Sequence, residues 1–306
     1  MDRTIGRIYT QGVGRCVLVL LGLAGGLLAQ RSSTSYFDLN GNRVEGPALT
    51  RVLTPSGERR VVTIQSINGR ETPVESAEDR VISKSETGEV IERTVVRYDA
   101  DGNPGPPERV RIERSKHPDG GETVRSTVWR ADLNGNFALA ERSVFEKQSG
   151  GSETVVERAE GGALQVVERV RRVERGARAE TVAFRRDANG EFFEASREVT
   201  TTAKRNGEEV TDTTRYERGG AAAELEPSAR SVTRFVERPD GSKVSVTDVY
   251  SRLGADVSDQ PRWQRQIRQE ERPGPGGATV IVTSVRHAPD AGYQKIQETV
   301  VEPVKP

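Results

Sequence analysis

The stretch "TVRSTVWRADLNGNF" (residues 123–137) contains the two signals that recur along this chain. In its first part, Val124, Ser126 and Val128 share one side of an extended backbone, and Thr, Arg and Trp side chains alternate with them. Such period-2 alternation with β-branched residues is typical of a β-strand. The second part contains an Asn-Gly pair, which type I′ hairpin turns prefer. The stretch therefore predicts a strand, a tight turn and the start of a returning strand.

Related phrases recur at regular distances. They read "FDLNGN" (37–42), "YDADGN" (98–103) and "FRRDANGEF" (184–192). Gly-containing turn signals follow one another at about sixteen residues on average, and two kinds of turn alternate, which gives a period of roughly 32 residues. The segments between the turns are rich in Val and Thr. The period indicates a series of β-hairpins, with the regular hairpins at residues 50–300.

These hairpins predict an all-β fold. We expect a long antiparallel meander of roughly 32-residue β-hairpin repeats that forms an extended twisted sheet of roughly fifteen strands. The apolar residues are too few to cover more than about one face, which favours a thin sheet over a thick sandwich. The alternative is a closed or folded-over, barrel-like sheet. Either form makes residues 30–306 a single domain.

The N-terminus has the features of a secretory signal peptide at residues 1–29. Arg3, Arg7 and Arg15 precede the apolar stretch "CVLVLLGLAGGLLA" (16–29), which ends in a small residue. This order of a basic region, an apolar core and a small residue predicts export to the periplasm, the cell surface or the outside of the cell. An uncleaved anchor is the alternative, although the apolar stretch is short for a membrane span.

The composition offers few groups for catalysis or cofactor binding. The chain has one cysteine, Cys16, within the predicted signal peptide, and its 46 basic residues balance 46 acidic ones. A balanced charge argues against nucleic acid as a partner. The two histidines, His117 and His287, flank turn sequences, and no nucleophile elbow, phosphate loop or His-x-x-x-His pair occurs. We therefore predict a protein that is not an enzyme, with no catalytic residues, no metal and no small-molecule cofactor.

The Asp-x-Asn-Gly phrases raise the alternative of calcium binding. Asp132, Asn134 and Asn136 place oxygen atoms at alternate positions, as calcium loops do. However, Gly135 falls between the second and third of these residues, and no distal Glu holds a fixed place. The same slot in other hairpins is filled by "ERGGA" (217–221), which lacks the ligands. The phrases are therefore interpreted as turns.

An aromatic residue recurs near the end of every second predicted strand. The members of this column are Tyr98, Trp129, Phe184, Tyr216 and Tyr250. We predict that they lie near one edge of the sheet, either as a packing row or as a stacking platform for an extended ligand such as a polysaccharide or lipid. Trp263, inside a lengthened hairpin, is interpreted as a cap or packing variant, with a binding insertion as the alternative.

The function predicted from these features is a non-catalytic structural or scaffolding role in the periplasm or at the cell surface. Self-association through two free sheet edges is expected, one at "YFDLNGNRVEG" (36–46) and the other at "YQKIQETVVEPV" (293–304). The alternative is an extracellular module that binds polysaccharide, lipid or another envelope component through the aromatic column. A transmembrane barrel is disfavoured because Arg and Glu interrupt both faces of most predicted strands.

Overall fold

The computed structural model describes residues 30–38, 40–44, 50–53, 58–67, 70–132, 134–218, 223–252 and 261–303. The predicted signal peptide at residues 1–29 lies outside these residues. All described strands belong to one antiparallel sheet of 19 strands, and the regular helical structure is limited to one 3₁₀ turn at Pro275–Gly277. No helix in the described part of the chain is long and apolar enough to cross a membrane.

The strands follow one another along the chain, and nearly every strand pairs with the one before it and the one after it. They are β1 (Gln30–Phe37), β2 (Arg43–Val44), β3 (Thr50–Leu53), β4 (Glu58–Ile67), β5 (Arg70–Lys84), β6 (Gly88–Arg97), β7 (Glu108–Lys116), β8 (Glu122–Ala131), β9 (Phe137–Gln148), β10 (Gly151–Glu160), β11 (Ala163–Arg175), β12 (Arg178–Arg186), β13 (Phe192–Arg205), β14 (Glu208–Glu217), β15 (Glu226–Glu237), β16 (Lys243–Ser251), β17 (Arg262–Pro273), β18 (Thr279–Arg286) and β19 (Gln294–Pro303). The predicted all-β antiparallel meander is confirmed.

The first strand joins the two ends of the meander. On one side β1 pairs with β3, where Ser32 lies opposite Arg51, and on the other side it pairs with β19, where Ser32 lies opposite Val301. The order of pairings therefore returns to its start. The two-residue β2 pairs only with the end of β1, so the ring of pairings contains eighteen of the nineteen strands.

This ring corrects two expectations drawn from the sequence. The segments predicted as free edges, 36–46 and 293–304, contain β-strands that pair with each other, with Tyr36 opposite Gln297. The strand-addition surface on which the scaffolding role rested is therefore absent from these strands. The prediction of a repeat protein is also wrong. In a repeat protein the two end units have one neighbour each, whereas here the first and last strands are neighbours of each other.

The turns show why these loops are rich in Asp, Asn and Gly. In the loop after β8, the N–H of Gly135 donates to the carbonyl of Asp132 (3.1 Å), and the N–H of Asp132 donates to the carbonyl of Asn136 (2.9 Å). Gly135 has a φ of 82°, whereas no other residue of this loop that the structure describes has a positive φ. The turn prediction is confirmed, and the loop after β6 shows its type. There the N–H of Gly102 (φ 86°) donates to the carbonyl of Asp99 (3.1 Å), and no other residue of that loop has a positive φ. This is a type I turn followed by a glycine bulge, not type I′. A left-handed pair occurs at Asn206 and Gly207 (φ 52° and 81°).

Candidate functional site: the two faces of the closed sheet

The register of the ladders assigns each strand residue to one of two faces, since successive side chains in a strand point to opposite sides. We call one side the aromatic face, because it carries the predicted column of Tyr98, Trp129, Phe184, Tyr216 and Tyr250. We call the other side the threonine face. Its defining residues, which the ladders of neighbouring strands connect, are Thr200, Thr202, Thr211, Thr213, Thr233 and Thr247.

The structure places all five residues of the predicted column on one face and at one end of the sheet, with Tyr98 just after β6 and the other four in β8, β12, β14 and β16. Four of them adjoin a β-bulge, in which the following strand carries one extra residue opposite them: Trp129, Phe184, Tyr216 and Tyr250. Bulges are typical of barrel rims, where they increase the local twist. The sequence analysis did not predict the bulges, although the recurring aromatic residues lie directly beside them. A ligand-binding role for the column stays a prediction.

The threonine face contains rows of hydroxyl groups. Thr202, Thr211, Thr233 and Thr247 lie opposite one another across β13–β16. Within this region hydroxyl oxygens approach each other to 3.0 Å between Thr200 and Thr213 and to 2.9 Å between Thr233 and Thr247. Each hydroxyl has one donor hydrogen and two acceptor lone pairs, so a paired hydroxyl can still bind water or a solute.

Burial distinguishes the two faces. Of the twelve buried residues that lie in strands, nine lie on the threonine face: Asp79, Ile91, Val95, Val124, Ser126, Val128, Thr200, Thr211 and Val285. Side chains on the concave side of a closed sheet converge and lose solvent contact, whereas those on the convex side diverge. This distribution indicates that the threonine face is the concave side of the ring. No described side chain is less than 2% exposed, so the strands do not enclose a packed core.

Some of the charged residues on both faces are paired across strands. On the threonine face, Arg93 binds Asp79 with two hydrogen bonds of 2.5 and 2.7 Å, and Glu108 accepts from Arg97 and Arg130. On the aromatic face the cross-strand pairs include Arg142–Glu157, Arg197–Glu180, Arg230–Asp212 and Arg234–Asp248. A paired charge costs much less to remove from water than an isolated one. These Arg and Glu residues therefore interrupt the faces as ion pairs.

The turn carboxylates bind donors of their own loops. In the loop after β6, Asp99 Oδ1 accepts the N–H groups of Asp101 (2.9 Å) and Asn103 (2.8 Å), and Oδ2 accepts the side-chain amide of Asn103 (3.0 Å). The hydrogen bonds from the side chain and the backbone of Asn103 lower the pKa of Asp99. Similar bonds lower the pKa of Asp38 and Asp132. Among the described residues, no group of three or more His, Cys, Asp or Glu is placed to hold a metal ion.

Two of the three other residues singled out in the sequence, His117 and Trp263, have structural contacts. His117 Nε2 lies 2.8 Å from the hydroxyl of Thr123 in the turn between β7 and β8. Trp263 lies in β17 opposite Tyr250, and its indole N–H donates to Asp248 at 3.1 Å. Trp263 is thus a sheet residue bound to a buried carboxylate, in agreement with the packing interpretation. Residues 253–260 of the predicted lengthened hairpin lie outside the described part of the chain.

Comparison with known proteins gives structural likeness without sequence likeness. No family model matches the chain, and no curated protein matches it. Among solved structures, the chain is similar to Salmonella typhi OmpF in complex with daunomycin, at 10% identity and a TM-score of 0.44, covering 89% of this chain and 94% of the other. It is also similar to Pseudomonas aeruginosa OccK2 (OpdF) in complex with glucuronate, at 10% identity and a TM-score of 0.45, covering 90% and 96%.

Both neighbours are outer-membrane porins. The predicted scaffolding role is corrected by the pairing of β1 with β19, which removes the two edges that self-association required.

Proposed function

We propose that the protein is a non-catalytic, water-filled channel of the outer membrane that passes small hydrophilic solutes. The observation that carries this proposal is the ring of eighteen paired strands. Strands spaced about 4.8 Å apart and tilted by about 40° give such a ring a circumference of about 113 Å and a backbone radius of about 18 Å. Closed sheets of this strand number are wide enough to leave an aqueous passage.

The threonine face is the wall of the proposed passage. Its side chains extend about 6 Å inward from the backbone, which leaves an open radius of about 12 Å. The rows of hydroxyl groups in β13–β16 suit polar, uncharged solutes, and the ion pairs of β5–β8 line another sector of the wall. Most strands contain nine or more residues, which is sufficient for a tilted strand to cross the apolar part of a membrane.

The proposal predicts ion conductance in a planar lipid bilayer into which the purified chain has been inserted. Thr213 and Thr214 are neighbours in β14 and lie on the threonine face and the aromatic face, respectively. We expect a charged thiol-reactive reagent to cause a stepwise fall in the conductance of the Thr213→Cys variant. The matched Thr214→Cys variant should conduct as before, because its thiol lies outside the passage.

Two outcomes contradict this assignment. Absence of conductance from protein that is folded by circular dichroism excludes the channel. An equal fall in both cysteine variants excludes the threonine face as the wall. Because Cys16 is the only natural cysteine, its Cys16→Ser replacement in both variants leaves the introduced thiol as the sole target.

A further inference from the structure

The aromatic face contains a depression that combines apolar and cationic groups. It has a volume of about 310 Å³ and lies across β14–β18, near the turn between β15 and β16. Its apolar wall contains Val236, Val244 and Val246, and its polar wall contains Arg234, Gln266 and Arg286. All six side chains lie on the aromatic face by their register. The depression is therefore separate from the proposed passage.

Side chains pack closely together at this place. The three strand residues that are buried on the aromatic face, Val244, Asp248 and Gln266, all belong to β16 and β17. The depression therefore adjoins the most buried part of this face.

A network of buried polar groups forms the floor beside the depression. Asp248 Oδ1 accepts hydrogen bonds from the Gln266 amide (2.7 Å) and from the Trp263 indole (3.1 Å). Arg234 lies 3.3 Å from the other carboxylate oxygen of Asp248, and the Tyr293 hydroxyl donates to Gln266. These contacts hold Arg234 and Gln266 in place before any ligand binds, which reduces the entropy that binding costs.

Arg234 is paired with Asp248, whereas the positive charge of Arg286 and one of its hydrogen-bond donors are available to a ligand. Its Nη1 donates to the carbonyl oxygen of Pro289 (2.6 Å), and its guanidinium lies 5.2 Å from the centre of the Tyr293 ring. Neither partner carries a negative charge. Its Nε–H is buried and has no hydrogen-bond partner among the described residues. A buried donor without an acceptor is unfavourable, and an anionic oxygen in the depression would supply the missing acceptor.

We propose that this depression binds an amphiphile with an anionic head and a short apolar chain, its head on Arg286 and its chain on the three valines. Glu208 at the rim adds a negative charge and favours a head with a single charge over one with several. At roughly 30 Å³ for each non-hydrogen atom, the volume holds about ten such atoms. Octanoate has this size and is a suitable probe.

The test is a calorimetric titration of the purified chain with octanoate in a non-ionic detergent. We expect saturable binding at one site, and we expect Arg286→Gln to weaken it about tenfold or more, the effect of losing one charge-assisted hydrogen bond. Arg286→Lys, which keeps the charge, should lose less. The matched control is Arg125→Gln, an exposed arginine on the same face, which should change the affinity less than about twofold.

Two further titrations identify the source of the ligand. Tighter binding of octyl phosphate than of octanoate would assign a phosphorylated head. Arg286-dependent binding of phosphatidylglycerol vesicles would assign a membrane lipid. Absence of saturation with both amphiphiles, equal affinity for uncharged octanol, or equal losses in Arg286→Gln and Arg125→Gln would overturn the proposal. None of these results depends on conductance, so the experiments test the proposed site and the proposed channel independently.

Discussion

Deletion of residues 294–306 is expected to abolish the folded state. β19 pairs along its length with β18 on one side and with β1 on the other. Its removal leaves the backbone donors and acceptors of two strands without partners, and each lost ladder hydrogen bond costs about 1 kcal/mol. The summed loss exceeds the stability of about 5–15 kcal/mol that a typical domain has. We expect aggregation through the newly exposed edges.

Size-exclusion chromatography and far-ultraviolet circular dichroism measure this effect. The matched control is a circular permutant of residues 30–303 in which a short linker joins the two ends and new termini lie between Gly161 and Gly162. The ends can be joined because Gln30 pairs with Pro303. This permutant keeps every strand pair and should remain folded. A deletion variant that is folded and monomeric would show that β1 and β19 do not close the sheet.

Replacement of Asp79 by Ala is expected to lower the free energy of unfolding by about 3 kcal/mol, because it leaves Arg93 partly buried without its counter-ion. The side chains of Arg93 and Asp79 are only 22% and 10% exposed. By contrast, the more exposed side chain of Glu113 lies 3.2 Å from Arg111 and 3.8 Å from Arg125. Such exposed pairs contribute about 0.5 kcal/mol or less.

Urea denaturation of Asp79→Ala and Glu113→Ala in the same detergent measures this difference. The double variant Asp79→Ala/Arg93→Ala should be more stable than Asp79→Ala, since it no longer contains an unpaired charge. Equal losses in the two single variants would contradict the role assigned to this pair.

The strands and turns could be predicted from the sequence because their signals are local. Val124, Ser126 and Val128 alternate with polar residues, and these three are the buried residues of β8. Gly135 marks a loop that needs a left-handed residue. The turn type was missed because an Asn-Gly pair suits both a type I′ turn and a type I turn with a glycine bulge.

The closed sheet could be stated only as an alternative from the sequence, because closure depends on a contact between distant residues. Thr34 and Thr299 are 265 positions apart, and their hydroxyl groups lie 3.0 Å from each other. No local pattern in either strand specifies that partner. The same limit applies to the charges. Arg142 and Glu157 are separate interruptions of a face in the sequence, and only the register of β9 and β10 shows that they neutralise each other.

The depression near Arg286 was also inaccessible to sequence analysis. Its residues come from five strands, and none of them belongs to a recognisable motif. Trp263 was the one residue near the depression that the sequence analysis singled out. Its interpretation as a packing residue agrees with the bond to Asp248, whereas the neighbouring cavity depends on the register of β14–β18.

The most direct test of the closed ring is disulfide formation between its first and last strands. In a Cys16→Ser background, we expect the variant with Thr34→Cys and Thr299→Cys to form an intramolecular disulfide under mild oxidation, visible as a change in electrophoretic mobility that reductant reverses. The control pair is Thr233→Cys with Thr247→Cys, which are opposite each other in consecutive strands at a similar hydroxyl separation (2.9 Å). Disulfides in both variants are the predicted result. A disulfide in the control alone, with two free thiols at positions 34 and 299, would contradict the closed sheet and with it the proposed channel.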